Sequence, residues 1–209
     1  MVNDDVFKTI VAPSEGTYSE KRSKFLSFAY PVQTKEEVKE LIDELRKQYY
    51  DSRHVCYAYM LGFDGTDFRA NDDGEPSSTA GRPILGQIRS NELTNVLVAV
   101  VRYFGGIELG TGGLIVAYKA AAAEALAAAE IVEKTIDEEV YIGFEYPFMN
   151  DVMRVVKEDE PQILEQDFYL DCKMKLRIRK SMIEALKEKL SKVETLVFLD
   201  AEGNPEATE

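Results

Sequence analysis

Residues 96–129 read VLVAVVRYFGGIELGTGGLIVAYKAAAAEALAAA: an apolar run, a glycine-dense turn and an alanine-rich stretch, in that order. Val96 to Arg102 is apolar at successive positions, not alternate ones, the pattern of a strand covered on both faces. The turn that follows holds Gly105, Gly106, Gly110, Gly112 and Gly113, five glycines within nine residues. Nine alanines then lie between Ala117 and Ala129. Alanine is the strongest helix former, and its small side chain leaves a smooth face that approaches a sheet closely. The segment therefore predicts a buried strand, a tight turn and a helix laid back on the sheet.

Upstream, Phe25 to Tyr30 reads as a strand. Thr34-Lys35-Glu36-Glu37 is a capping box opening a helix to about Tyr49, with Val38, Leu41, Ile42 and Leu45 at helical spacing. His54 to Met60 is a second apolar and aromatic strand, and Asp64-Gly65 turns it into another near Phe68 to Asn71. The loop Asn71 to Gly81 follows, with Thr79 placed to cap a helix through about Arg89.

Downstream, the acidic run Glu133 to Glu139 reads as a boundary, because a complete pattern begins after it. Val140 to Tyr146 is a strand, Asn150 caps a helix through Glu158, and Ile163 to Phe168 and Leu170 to Arg179 are strands. Ser181-Met182-Ile183-Glu184 is a capping box, its helix ends near Ser191, and Val193 to Leu199 closes the set. This βαββαβ order is that of the ferredoxin-like motif. The predicted class is α+β in two domains, residues 1–135 and 136–200, with a polar, flexible tail over 201–209. A length of 209 residues suits one or two domains with real cores.

Composition narrows function. With 25 Lys and Arg against 38 Asp and Glu, the net charge is −13, so any nucleic-acid site must be a local patch. The longest strongly apolar stretch, Val96 to Val101, is far short of the roughly 20 residues a spanning helix needs, and no membrane partner is expected. The opening MVNDDVFKTI has neither a basic n-region nor an apolar h-region, which predicts cytoplasmic residence. Cys56 and Cys172 are too far apart for CxxC chemistry and read as packing thiols. With the single histidine, His54, they do not fill a tetrahedral zinc site.

Arg102-Tyr103-Phe104-Gly105-Gly106, Leu109-Gly110-Thr111-Gly112-Gly113-Leu114, Asp72-Asp73-Gly74-Glu75-Pro76 and Thr79-Ala80-Gly81 together resemble the IMPACT family in its bacterial YigZ-like two-domain form. The resemblance is strong over about residues 15–130 and weaker over 138–200. It implies a first domain with the fold of the second domain of ribosomal protein S5. The second domain it implies is ferredoxin-like, similar to the last domain of elongation factor G. Eukaryotic relatives resemble this chain in the first domain only and are translational regulators that bind the activator of a starvation-sensing initiation-factor kinase. The implied field is translation, with RNA, the ribosome or a translation-associated protein as partner. The chain departs from the family pattern at Ser78, where Gly is usual, at Glu108, where Lys is common, and at Val116, where Arg is common.

Three constellations bear on chemistry. The turn Gly105 to Gly113 offers free N–H groups at a positive helix end, the geometry of an anion site in which Arg102, Gly105, Gly106, Gly110, Thr111, Gly112, Gly113, Thr79 and Gly81 are candidates. The glycines equally serve turn geometry and close packing. Asp72, Asp73 and Glu75 share one loop and suit either Mg²⁺ beside a phosphorylated ligand or local capping and pairing with Arg82 or Arg102. Lys173, Lys175, Arg177 and Arg179 alternate along one strand and face away from the core, as an RNA-contact stripe or a solvated face paired with acids such as Glu145, Glu165 or Asp167. The preferred reading is a binding protein without a resident cofactor or metal. The alternative is an enzyme acting on a phosphorylated small molecule or nucleotide at the glycine turn and acidic loop.

Overall fold

The computed structural model of the chain describes residues 5–206 apart from residue 170. Its elements are β1 (Val6–Ile10), β2 (Ser14–Glu20), β3 (Ser23–Pro31), α1 (Lys35–Gln48), β4 (His54–Leu61), β5 (Asp67–Asn71), α2 (Gly81–Ser90), β6 (Val96–Tyr103), α3 (Gly110–Ala127) and β7 (Ile131–Thr135). They continue with β8 (Asp137–Glu145), α4 (Met149–Asp159), β9 (Gln162–Phe168), β10 (Asp171–Arg179), α5 (Ile183–Leu190) and β11 (Val197–Leu199). The class is α+β. Two compact units form: one is Phe7–Lys134, and the other takes the chain from Thr135 onward together with Asp5 and Val6. The N-terminus thus crosses between units as well, a second crossing that a single cut near residue 135 does not include. β1 and β7 pair with each other and carry the two crossings.

In the first unit a fully antiparallel sheet runs β2-β3-β6-β4-β5. β6 is its centre, and Val96 through Val101 have no exposure at all. Val96, Val98 and Val100 join the core under α2 and α3, whereas Leu97, Ala99 and Val101 join the core under α1. The continuous apolar run is therefore two interleaved faces. α1 starts at the predicted cap: Thr34 Oγ1 accepts from the Glu37 N–H at 3.2 Å, while the Glu37 carboxylate accepts at 2.7 Å from the N–H of Gln33, one residue before the cap, and not from Thr34 as in a full capping box.

α3 packs against the sheet through Ala117, Ala121, Ala122 and Ala125, all fully buried. The matching surface is Gly16 on β2, where a Cβ would lie 2.5 Å from the Ala125 nitrogen. Ser14 Oγ adds a bond to the Ala125 carbonyl at 2.7 Å. A missing side chain on the strand and small ones on the helix bring the two backbones together.

The second unit is β8-α4-β9-β10-α5-β11 with sheet order β11-β8-β10-β9, antiparallel throughout, which is the strand order of the ferredoxin-like motif. Val140, Ile142, Phe144, Val152, Leu176 and Leu186 are among its core residues. Asp5 belongs to this unit: it is 2% exposed, accepts from Arg179 Nε and Nη2 at 2.5 and 2.9 Å, and its carbonyl accepts from the Ile136 N–H at 2.7 Å. Its carboxyl is held down to about 2, chiefly by Arg179 and then by Ser181.

Several local expectations are corrected. Thr79 does not cap α2, because its hydroxyl bonds the Pro76 carbonyl at 2.6 Å and Asp72 takes the Ala80 and Gly81 N–H groups instead. Asn150 lies inside α4, which begins at Met149 without a side-chain cap. Ser181 sits in a short 3-10 turn ahead of α5 and bonds Asp5, so the second capping box is not formed. β1, β2 and β7 were not legible as strands, and the acidic run of residues 133–139 lies within β7 and β8 and their junction. The described part of the tail folds back instead of fraying: Asp200 accepts from the Asn204 N–H at 2.8 Å, and Pro205 bridges to Leu199. The expected strand start at Leu170 lies outside the described residues. No helix among the described residues is long and apolar enough to cross a membrane.

Substitutions at the packed and ionised positions have defined expected outcomes. Gly16→Val should cost the first unit about 1–3 kcal/mol in denaturant unfolding. Gly86→Ala, in a helix with nothing within 4 Å of the new methyl, should gain about 0.5–1 kcal/mol. Because Asp5 titrates lower in the folded state than unfolded, its contribution is full above the ordinary carboxylate value of 3.8 and is lost as pH falls toward about 2. Asp5→Asn should therefore destabilise the second unit at neutral pH and leave its stability less dependent on acid over that window, as followed by circular dichroism.

Candidate anion site at the start of the long helix

Arg102, the last residue but one of β6, faces α3 and enters a largely closed environment: its side chain is 8% exposed. A guanidinium so placed needs a counter-charge. Glu75 supplies it, with Oε1 at 2.5 Å from Arg102 Nη1 and its own side chain 4% exposed. Tyr118 of α3 donates to the same oxygen at 2.7 Å. Arg102 Nε has no hydrogen-bond partner among the described residues, and the guanidinium lies 5.6 and 5.7 Å from the Phe25 and Phe104 ring centres.

His54 completes the group. Its Nδ1 donates to the Asp73 carbonyl, which only accepts, at 2.7 Å, and this places Nε2 3.9 Å from Glu75. Cys56 lies deeper; burial pushes its thiol well up, and its Sγ donates to the Asp72 carbonyl at 3.0 Å. Burial likewise raises the Tyr118 hydroxyl, which stays protonated as a donor. Neither group is a nucleophile at neutral pH.

Above this cluster opens a pocket of about 410 Å³, lined among others by Arg53, His54, Arg102, Phe104, Gly110 and Thr111. α3 enters its wall with no side-chain cap and no acid in its first turn. The N–H groups of Gly110, Thr111 and Gly112 consequently have no acceptor within the helix. Glu108, also in the wall, is the opposing charge.

The glycines divide by cause. Gly105 is required by contact, since a Cβ would lie 2.1 Å from the Arg22 carbonyl carbon. Gly106 and Gly110 have φ of +83° and +69°, the left-handed region. Gly113 is tight against Leu109 at 3.1 Å. Gly112 alone among the five has neither a positive φ nor any atom within 4 Å. Of the other candidates, Thr79 is buried, and Gly81 is there because a Cβ would lie 2.5 Å from the Asn71 nitrogen; neither lines the pocket. Ser78 sits at φ +65°, in the left-handed region that favours glycine.

The acidic loop does not converge on a metal. Asp72 accepts three backbone N–H groups, from Ser78, Ala80 and Gly81, at 2.8, 3.0 and 2.8 Å. Asp73 accepts from the Val55 N–H at 2.7 Å and from Arg46 at 2.9 Å. Among the described residues no group of three His, Cys, Asp or Glu side chains is arranged to hold an ion. The loop is a scaffold that delivers Glu75 to Arg102, which takes the pairing role that Arg82 could have filled.

The basic row on β10 is largely neutralised. Lys175 and Arg177 bond Glu139 at 3.1 and 2.8 Å, Lys175 also faces Glu165 at 3.9 Å, and Arg179 bonds Asp5. Arg177 first, then Lys175, holds the Glu139 carboxyl down to about 2. Lys173 stands opposite Asp167 in the register. Sequence reasoning named Glu165 and Asp167 but not Glu139. It also missed Phe104, Arg53 and Tyr118 as members of the site, since only the register of β4 on β6 and the path of α3 bring them together.

The chain has recognisable relatives. The Impact N-terminal domain family matches residues 21–126. The IMPACT family member YvyE of Bacillus subtilis is 35% identical over 140 residues, 67% of this chain and 64% of that protein. An IMPACT family member of Haemophilus influenzae is 31% identical over 176 residues, 82% of this chain and 84% of that protein. The Dictyostelium discoideum IMPACT homologue matches 44% of this chain at 33% identity. A crystal structure of a hypothetical protein superposes with a TM-score of 0.70 at 26% identity, covering 98% of this chain and 99% of that one. With the family match falling on the segment that builds the pocket, and a bacterial relative covered over most of its length, the chain belongs to the IMPACT family.

Proposed function

We propose that this protein is a translation-related regulator that acts by binding, and that the pocket at the start of α3 receives an anionic group of its partner. The partner is an RNA, a ribosome or a translation-associated protein. Family membership supports the setting. The observation that carries the site is the pairing of an 18-residue helix start without a side-chain cap with Arg102, a nearly buried cation in the same wall whose Nε–H has no partner among the described residues. Helix N–H groups and a guanidinium together recognise phosphate or carboxylate. A glycine at position 112 that the fold itself does not need keeps the helix start open to close approach.

Gly112→Glu tests this. The new side chain has open space, and a carboxylate in the first turn favours the helix by about 0.3–1 kcal/mol, so thermal stability should hold or rise. The same charge would occupy the anion site. Titration with inorganic phosphate, followed by NMR, should move the amide signals of Gly110, Thr111 and Gly112 in the natural protein. In the variant the response of Gly110 and Thr111 should vanish. Unresponsive amides in the natural protein, or equal shifts in both, would leave the helix start a purely structural feature.

A further inference from the structure

β2 and β3 are joined by a two-residue loop, Lys21 and Arg22, closed by the Glu20–Ser23 pair. Both loop residues have positive φ, +45° and +68°. That is the type I′ geometry for which Asn-Gly is the default, and L side chains adopt it under strain. Two exposed cations therefore occupy positions where the fold would be better served by other residues. The hairpin tip is also held in place: Gly105 gives up its side chain to the Arg22 backbone and donates its N–H to Ser23 Oγ at 3.2 Å. Phe104, the preceding residue, stands in the pocket wall with 46% of its surface exposed. Arg53 lines the same pocket, exposed, with its backbone N–H on the Arg102 carbonyl at 3.2 Å. Among the described residues Lys21, Arg22 and Arg53 are in no salt bridge, in contrast to Lys175, Arg177 and Arg179.

The hairpin that carries Lys21 and Arg22 packs its backbone on Gly105, next to the exposed Phe104, and Arg53 shares the pocket with that ring and the open helix start; this set complements a chain of regularly spaced phosphates with flat bases between them. A lone carboxylate would use the helix start and Arg102 and leave the hairpin cations and the ring idle. Single-stranded nucleic acid uses all of them, since phosphates need a cationic track and every base offers a face for stacking. Resting on the anion-site reading above, we propose that the pocket mouth is a single-stranded RNA site in which Lys21, Arg22 and Arg53 contact phosphates and Phe104 stacks on a base. The negative charges nearby, Glu20 and Glu108, limit the contacts to a few phosphates.

The test uses the full chain, a fluorescent ten-residue uridine oligomer, and a polyglutamate peptide of equal charge, from about 50 to 200 mM salt. Replacing the loop by its default, Lys21→Asn with Arg22→Gly, should raise the melting temperature, because strain is removed. The same change should weaken oligomer binding about tenfold at the lowest salt. It should also reduce the salt slope by about 1.4, near 0.7 for each phosphate that the variant no longer neutralises on a single strand. Phe104→Leu should weaken binding at least about fivefold with the slope unchanged, since stacking carries no counterion. Unchanged affinity and slope in the loop variant, polyglutamate bound as tightly as the oligomer, or no oligomer binding by the natural protein would each overturn the proposal. If Gly112→Glu weakens oligomer binding while the loop variant does not, the anion site stands and the hairpin assignment falls. If neither variant matters, both fall.

Discussion

Arg102, next to the end of the central strand of the first unit, carries a charge that points into the core side of the sheet, and much of the surrounding structure answers to that charge. A buried ion pair is a poor source of net stability, because desolvation consumes most of the Coulomb gain. Removing one partner nevertheless costs about 3–5 kcal/mol. Glu75 must therefore be delivered accurately, and the loop that delivers it is built from Asp72, whose three backbone bonds tie the loop to the start of α2, and Asp73, which ties it to β4 and α1. What reads in sequence as an acid cluster is one counter-ion and two anchors. Tyr118 then fixes the orientation of Glu75 by donating to its Oε1, with His54 alongside at 3.9 Å.

The glycine-rich stretch illustrates how a motif can be composite. Gly105 exists for the hairpin that rests on it, Gly106 and Gly110 for the chain reversal into α3, and Gly113 for the close Leu109 contact. Each of these is satisfied by folding alone. Gly112 is the remainder, and in a first helical turn it forgoes the propensity that almost any other residue would bring. The hairpin loop shows the same signature from the opposite direction, a place where glycine would be expected and cations stand instead. Positions at which local preference and global fold disagree are where function is to be sought.

Much of this architecture was legible beforehand. The order strand, glycine turn, helix could be read because the apolar run of β6 and the alanines of α3 are long and unambiguous, and βαββαβ because the apolar periodicity of its elements is clear. β2, SEGTYSE, was not legible: of its inward positions Ser14, Gly16, Tyr18 and Glu20 only Tyr18 is large and packs on the core, since α3 needs Gly16 there. Helix caps failed where the partner lies outside the helix's own first turn, with Asp72 serving α2 from the preceding loop and Asp5 taking Ser181 from the other end of the chain. The candidate site was half visible. Arg102, Gly110 and Thr111 carried local signals, whereas Arg53, Phe104 and Lys21 owe their place to strand register, which no single segment encodes.

A net charge of −13, taken as a sum, argues against any polyanion as partner, and the pairing of individual cations shows why the sum misleads. On β10 Lys175, Arg177 and Arg179 are held by Glu139, Glu165 and Asp5 and Lys173 stands opposite Asp167, so that face presents less free positive charge than its sequence suggests. At the hairpin tip and pocket mouth Lys21, Arg22 and Arg53 are in no salt bridge among the described residues. Near physiological ionic strength charges beyond about 8 Å are largely screened, so a phosphate at this mouth responds to the nearest cations and the helix start, not to the acidic surface as a whole. At about 0.01 M salt the screening length grows to about 30 Å, and the acidic remainder of the protein enters the balance as repulsion. Counterion release favours binding as salt falls, while long-range repulsion grows over the same range. At the proposed site the opposition of these two terms would make affinity for RNA flatten at low salt instead of climbing steadily, the three cations supplying the counterion release and the net charge of −13 the repulsion.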